Sequence, residues 1–189
     1  MPETDTQFHH LYPAAIESLA VRHWTPLHVT QRVVQYLTPS GDDNVLDIGS
    51  GVGKFCLAAA CSAPSAHFFG IEQRGDLVEH AENACKKLGL SNTRFIHGNF
   101  TQLDFKLFDH FYFYNAFYEN LIDTDKIDDS IDYSVELYNY YNRQLYNKLK
   151  EMRYGTRVVT FHSLGEEMPP GYHLVEAQMD DLLKFWIKT

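Results

Sequence analysis

Residues 45–55, Val45-Leu46-Asp47-Ile48-Gly49-Ser50-Gly51-Val52-Gly53-Lys54-Phe55, carry the densest chemistry in the chain. Glycines at alternate positions follow an apolar strand-like run and lead into a segment with helical apolar spacing. Glycine permits positive φ and a close approach by a ligand, and a helix start offers unpaired N–H groups. That combination makes a nucleotide site. A dinucleotide fingerprint, G-x-G-x-x-G, would need its last glycine where this chain has Lys54. Asp47 stands just before the first glycine, where a carboxylate disfavours a bound pyrophosphate in a poorly hydrated loop. It suits a ligand that brings an amine or another positive charge to that spot.

Other stretches stand where such a ligand would need them. Glu72 directly follows the β-prone run His67-Phe68-Phe69-Gly70-Ile71, and an acid about 20 residues beyond a glycine loop accepts hydrogen bonds from ribose hydroxyls. Gly98-Asn99-Phe100 follows Thr93-Arg94-Phe95-Ile96-His97, and Asn115-Ala116-Phe117-Tyr118-Glu119-Asn120 follows His110-Phe111-Tyr112-Phe113-Tyr114. Both sets fall after predicted strands, at the ends where open α/β sheets hold their ligands.

Asp47 through Gly53 resembles the first motif of the class I S-adenosylmethionine (SAM)-dependent methyltransferases. Taken with Phe69–Glu72, Gly98–Phe100 and Asn115–Phe117, in that order, roughly half of the chain is similar to the non-SET histone-lysine methyltransferases and smaller protein-lysine relatives. The resemblance implies that Asp47, Gly49, Ser50, Gly51 and Gly53 hold the methionine end of SAM. Glu72, with Gln73 beside it, takes the ribose, and Asn99 and Phe100 take the adenine. Asn99 stands where the family has an acidic or amide residue, and Phe100 packs either on the adenine or in the core. Thr25 lines the pocket near the methionine end or, in the alternative, caps the helix after Pro26. Asn115, Phe117 and Tyr118 partly resemble the N-P-P-Y motif of enzymes that methylate planar amino groups. In that motif Asn orients the acceptor and an aromatic stacks on it; Ala116 and Phe117 replace the prolines here. Asn115 therefore borders both cofactor and acceptor.

These residues need elements to carry them. Helical spacing is read from Pro13 to about Trp24, over Leu27–Leu37, Lys54–Cys61 and Asp76–Leu88, and from Ile131 to Met152. Gly89 is a natural C-terminal stop, and Gly155 another. Strands are read at Val45–Ile48, His67–Ile71, Thr93–His97, His110–Tyr114 and Thr156–Phe161, with a closing hairpin of Tyr172–Ala177 and Leu182–Ile187. His162 follows the fifth strand and is the histidine best placed for general-base work, or else it ends that strand. Asp123–Asp132 is an acid-rich insert that attracts a cationic acceptor or lies solvated before the next helix. The tyrosines of that helix read as sheet-packing core.

The 189 residues suit one domain: a helical cap over residues 1–40 and a Rossmann-like core over 41–189. With 44% hydrophobic and 22% charged residues the chain reads as globular, and no run is apolar and long enough to cross a bilayer. No signal peptide is read, so the expected location is cytoplasmic. The net charge of −9 opposes tight binding to a phosphate backbone and leans toward a small-molecule or protein acceptor. Cys56, Cys61 and Cys85 lack a C-x-x-C pair and read as buried thiols, and the histidines near the N-terminus lack ligand spacing, so no metal is expected. The expected fold is a three-layer α/β sandwich whose seven-stranded, mostly parallel sheet ends on an antiparallel strand. The expected chemistry is methyl transfer from SAM, leaving S-adenosylhomocysteine (SAH), to a protein lysine or another amine. A small-molecule or nucleic-acid amine, and a SAM-binding module without catalysis, are the alternatives.

Overall fold

A computed structural model describes residues 2–121 and 126–189. Seven strands form one sheet: β1 (Asn44–Ile48), β2 (His67–Glu72), β3 (Thr93–His97), β4 (His110–Tyr114), β5 (Arg157–Phe161), β6 (Tyr172–Gln178) and β7 (Leu183–Lys188). Their spatial order is β3-β2-β1-β4-β5-β7-β6. The first five strands are parallel, and β7 runs antiparallel to both β5 and β6. This is the sheet that the resemblance implied.

Side chains alternate across each strand, which splits the core into two layers. Val45, Phe68, Tyr112, Val159 and Phe185 face α4 (Leu27–Leu37) and α5 (Lys54–Ser62). Leu46, Ile48, Phe111, Phe113 and Val158 face the other way, onto α7 (Val135–Lys150) and two short 3-10 turns. A further helix, α6 (Gly75–Leu88), packs beside β3 and ends at Gly89, which is left-handed with φ 66°. The order β3-β2-β1-β4 reverses direction of progress at β1, and ligands of such sheets sit above that reversal.

Two elements differ from the expectation. The stretch from Pro13 to Trp24 is two short helices, α2 (Ala14–Glu17) and α3 (Ala20–His23), preceded by α1 (Asp5–His9). The Ser18 hydroxyl donates to the Ala15 carbonyl at 2.7 Å, competing with continued helix, and Leu19 turns the chain. The second difference is α7, which starts at Val135 rather than Ile131. Ser134 is its N-cap, its hydroxyl accepting from the Leu137 N–H at 3.1 Å. Asp123, Thr124 and Asp125 of the acid-rich insert lie outside the described residues. No helix among the described residues is long and apolar enough to cross a membrane.

Candidate functional site

β1, β2, β4 and β5 all end on one edge of the sheet, and a cleft of about 660 Å3 opens above it. The glycine loop forms its floor. The N–H groups of Gly49 and Ser50 both donate to the Ile71 carbonyl, at 2.9 and 3.0 Å, which folds the loop down against β2. Gly49 has φ 77°, and a Cβ there would overlap the Cβ of Ala116. At Gly51, φ is 53° and a Cβ would meet nothing within 4 Å. The loop therefore leaves an open cradle at Gly51 and a closed contact at Gly49.

Gly53 and Ser50 sit differently. Gly53 does not line the cleft; it precedes α5 with φ 76°, packed against Phe95 and Ala81. The Ser50 hydroxyl turns toward Gly70, where a Cβ would lie 2.6 Å from it, and finds no hydrogen-bond partner among the described residues.

Asp47 lies on the α5 side of β1, only 3% exposed. Among the described residues its hydrogen-bonding neighbour is the Cys56 thiol at 3.6 Å. Burial pushes its carboxyl up to about 8, with the nearby Glu72 adding to the shift and the thiol opposing it. Beside it is a recess of about 40 Å3, bordered also by Thr25, Lys54, Ser50 and Tyr112. That space suits a water molecule or an ammonium group. Thr25 is not an N-cap: Pro26 occupies that position, and the Thr25 hydroxyl instead shares a 2.9 Å hydrogen bond with the Tyr112 hydroxyl.

Glu72 is also buried, at 6% exposure, and its two oxygens have different tasks. Oε1 accepts from the N–H groups of Gln73 and Arg74 at 2.9 and 3.0 Å and faces the Arg74 guanidinium at 3.4 Å. Among the described residues Oε2 accepts only from Gly51 N–H, at 3.1 Å, and keeps lone-pair capacity for a ligand hydroxyl. Gln73 lines the cleft, and its Oε1 accepts from Asn99 Nδ2 at 2.9 Å and from the Tyr141 hydroxyl at 3.3 Å. Asn99 stands behind that contact, its Oδ1 already accepting the Thr101 N–H at 3.0 Å. Phe100 is buried and stacks on Phe117, centroids 5.1 Å apart. Both rings border the cleft and belong to the core, so the two readings of Phe100 merge.

The segment after β4 turns sharply. Asn115 is left-handed with φ 37°, its carbonyl accepts the Tyr118 N–H at 3.0 Å, and its side-chain amide bonds to no described residue. Phe117 points into the aromatic cluster of Phe100, Phe113 and Tyr141, whereas Tyr118 is 46% exposed on the rim. Of the three residues expected to orient an acceptor, Asn115 and Tyr118 reach open space, and Phe117 forms a wall.

Arg74 and Tyr141 were not anticipated. Arg74 has a buried side chain that lines the cleft and bonds to Glu72, to Glu119 at 2.6 Å, to Asp128 at 3.3 Å and to the Tyr133 hydroxyl at 2.7 Å. Burial alone would favour loss of its charge, and the Glu119 and Glu72 carboxylates more than offset that. Asp128 thus leaves the solvated reading of the insert: it is tied to the cleft wall. The N-terminal segment closes another side. Trp24, Arg22 and Leu19 line the cleft, Lys54 pairs with Asp5, and the Tyr12 hydroxyl donates to the Val52 carbonyl at 2.9 Å.

SAM, the cofactor that the resemblance implies, fits these groups. A buried acid beside an ammonium-sized recess, an open glycine cradle and a carboxylate oxygen with spare capacity stand in the order its amino-acid and ribose parts require.

The comparisons with known proteins agree in class. A family model described as a methyltransferase domain matches residues 39–145, more than half of the chain. A tRNA (guanine-N(7)-)-methyltransferase of Microcystis aeruginosa is 48% identical over 54 residues, covering 29% of this chain and 26% of the relative. A 23S rRNA (uracil(1939)-C(5))-methyltransferase of Vibrio parahaemolyticus is 32% identical over 74 residues, covering 39% of this chain and 16% of the relative. The chain spans about a quarter or less of the length of these two relatives. In structure, an RNA methyltransferase of Salinibacter ruber in complex with SAH superposes with a TM-score of 0.57 at 21% identity, covering 87% of this chain and 92% of that one.

Proposed function

The chain belongs to the methyltransferase domain family, and on that premise we propose that it transfers the methyl group of SAM to an amine-type nitrogen of a small molecule or protein. When bound, SAM supplies a methyl group made electrophilic by its sulfonium. The reading rests on one observation: the Gly49–Gly51 cradle, Glu72 and Asn115 line one cleft at the strand ends, and Asp47 borders the small recess that adjoins it at Gly49 and Val52.

Each group has a defined task. Asp47, once ionised, holds the α-amino group; the glycine loop takes the chain of the amino acid; Glu72 Oε2 accepts from a ribose hydroxyl. The Asn115 amide oxygen accepts an acceptor N–H and aims the nitrogen lone pair. Little covalent work falls to the protein, so rate comes from positioning. Phe117, Trp24 and Tyr133 form walls around the reacting atoms.

A second reading, an RNA acceptor, draws on the names of the relatives. The net charge of −9 weighs against it, because phosphate contacts require local cations. Methyl-labelled SAM, offered with an extract split into protein, RNA and small-molecule fractions, separates these readings. We expect label in the protein or small-molecule fraction, and none with Glu72→Ala protein. Label confined to RNA would replace the first reading with the second. SAH binding with no label anywhere would indicate a binding module without catalysis.

A further inference from the structure

The residues that follow β4 and β5 share an unusual backbone. Tyr114 and Phe161 are register partners in the parallel pair, so Asn115 and His162 are the next residues out, side by side at the sheet edge. Both are left-handed, with φ 37° and 53°. The other non-glycine residues with positive φ among those described, Met179, Asp180 and Asp181, make the tight β6–β7 turn, where that conformation is ordinary. No hairpin turn explains Asn115 and His162. Left-handed backbone is uncommon at non-glycine residues, though Asn and His adopt it more readily than most, and it persists where the surroundings enforce it, often at a site.

The surroundings of His162 enforce a direction. Its N–H donates to the Leu182 carbonyl at 2.8 Å, and its ring stacks on Tyr114 with centroids 5.5 Å apart and meets Phe161 edge-on at 4.4 Å. The imidazole lines the cleft with Asn115, and neither ring nitrogen bonds to any described residue. A histidine that merely ended the strand would not need its ring held by two aromatics with both nitrogens unused.

We propose that His162 is the catalytic base of the site, taking a proton from the acceptor nitrogen that Asn115 orients. This rests on the methyl-transfer reading above. The nitrogen lone pair forms the bond to the methyl carbon, while the carbon–sulfur pair stays with sulfur as the thioether of SAH. An N–H bond of that nitrogen then breaks with its electron pair left on nitrogen, and the proton passes to a His162 ring nitrogen and then to solvent. Partial burial against Phe161 and Tyr114 holds the imidazole below its usual value of 6.5, so it is mostly neutral and able to accept a proton at pH 7. The facing titratable groups are the Tyr114 hydroxyl, which donates to the Arg22 carbonyl at 3.1 Å, and Arg22 and His23 across the cleft.

Two measurements test it. In the fraction that accepts label, His162→Ala and His162→Gln should lower kcat by about 100-fold or more. KM for SAM, SAH affinity and melting temperature should stay near wild type. Added imidazole should restore part of the activity of the Ala variant and none to a Tyr118→Ala control. Independently of turnover, diethyl pyrocarbonate at pH 7, read by peptide mass, should modify His162 as readily as the exposed His10. Wild-type rates in the Ala variant, or a His162 ring inert to the reagent, would overturn the inference alone. Wild-type protein that binds SAH and labels no fraction would overturn methyl transfer itself, and this inference with it.

Discussion

A carboxyl sealed beneath a helix stays protonated until a positive group joins it, and Asp47 is in that position. Burial sets its value at about 8, far above an unfolded aspartate at about 4. The unfolded chain therefore loses this proton first, and without ligand the fold loses stability as pH rises from about 4 toward 8. A ligand ammonium in the recess reverses that cost by pairing with the ionised form. SAH affinity should therefore rise with pH between 6 and 8, by up to about tenfold per unit, and the rise should vanish in Asp47→Asn. Titration calorimetry at several pH values checks both. Gly49 offers a second test at this scale. Gly49→Ala must hold φ near 77° and push into Ala116, so it should lose about 1–3 kcal/mol in a urea melt and with it SAH binding.

Arg74 acts through an element. It ties Glu72, on β2, to Glu119 and to the 128–133 segment, and the Ile127 N–H also donates to Glu119 at 3.2 Å. Arg74→Met should leave the sheet intact but free this wall. We expect faster hydrogen exchange confined to residues 118–121 and 126–134, and SAH affinity weaker by about tenfold as Glu72 loses its charged partner. Ser134→Ala, which removes only the α7 N-cap, should cost about 1 kcal/mol and leave SAH binding unchanged. The same elements explain what was legible beforehand. β1 to β5 are short apolar runs closed by turn residues, and α6 ends on a glycine, so local pattern suffices. Asp47 and Glu72 were legible because each stands at a strand end at fixed distance from the glycine loop. Arg74 was not, because its partners Glu119 and Asp128 lie 45 and 54 residues away. Nor were α1, α2 and α3, whose brevity leaves no periodicity. Phe8, Tyr12 and Trp24 order that segment through contacts with α5 and α6.

At the scale of the molecule, three separate parts of the chain build one chamber at the sheet reversal. The strand ends supply polar groups, residues 127–133 form one wall, and residues 19–24 form another. The net charge is −9 overall, and the chamber buries its acids beside Arg74 and the recess. The arrangement suits a cofactor that is cationic at one end and hydroxylated at the other. Calorimetric titration of SAH into wild type, Glu72→Gln and Asp47→Asn tests that most directly. We expect one site per chain in wild type and affinity weakened by about tenfold or more in each variant, as loss of one charged hydrogen bond requires. No binding to wild type, or equal affinity in all three proteins, would contradict it.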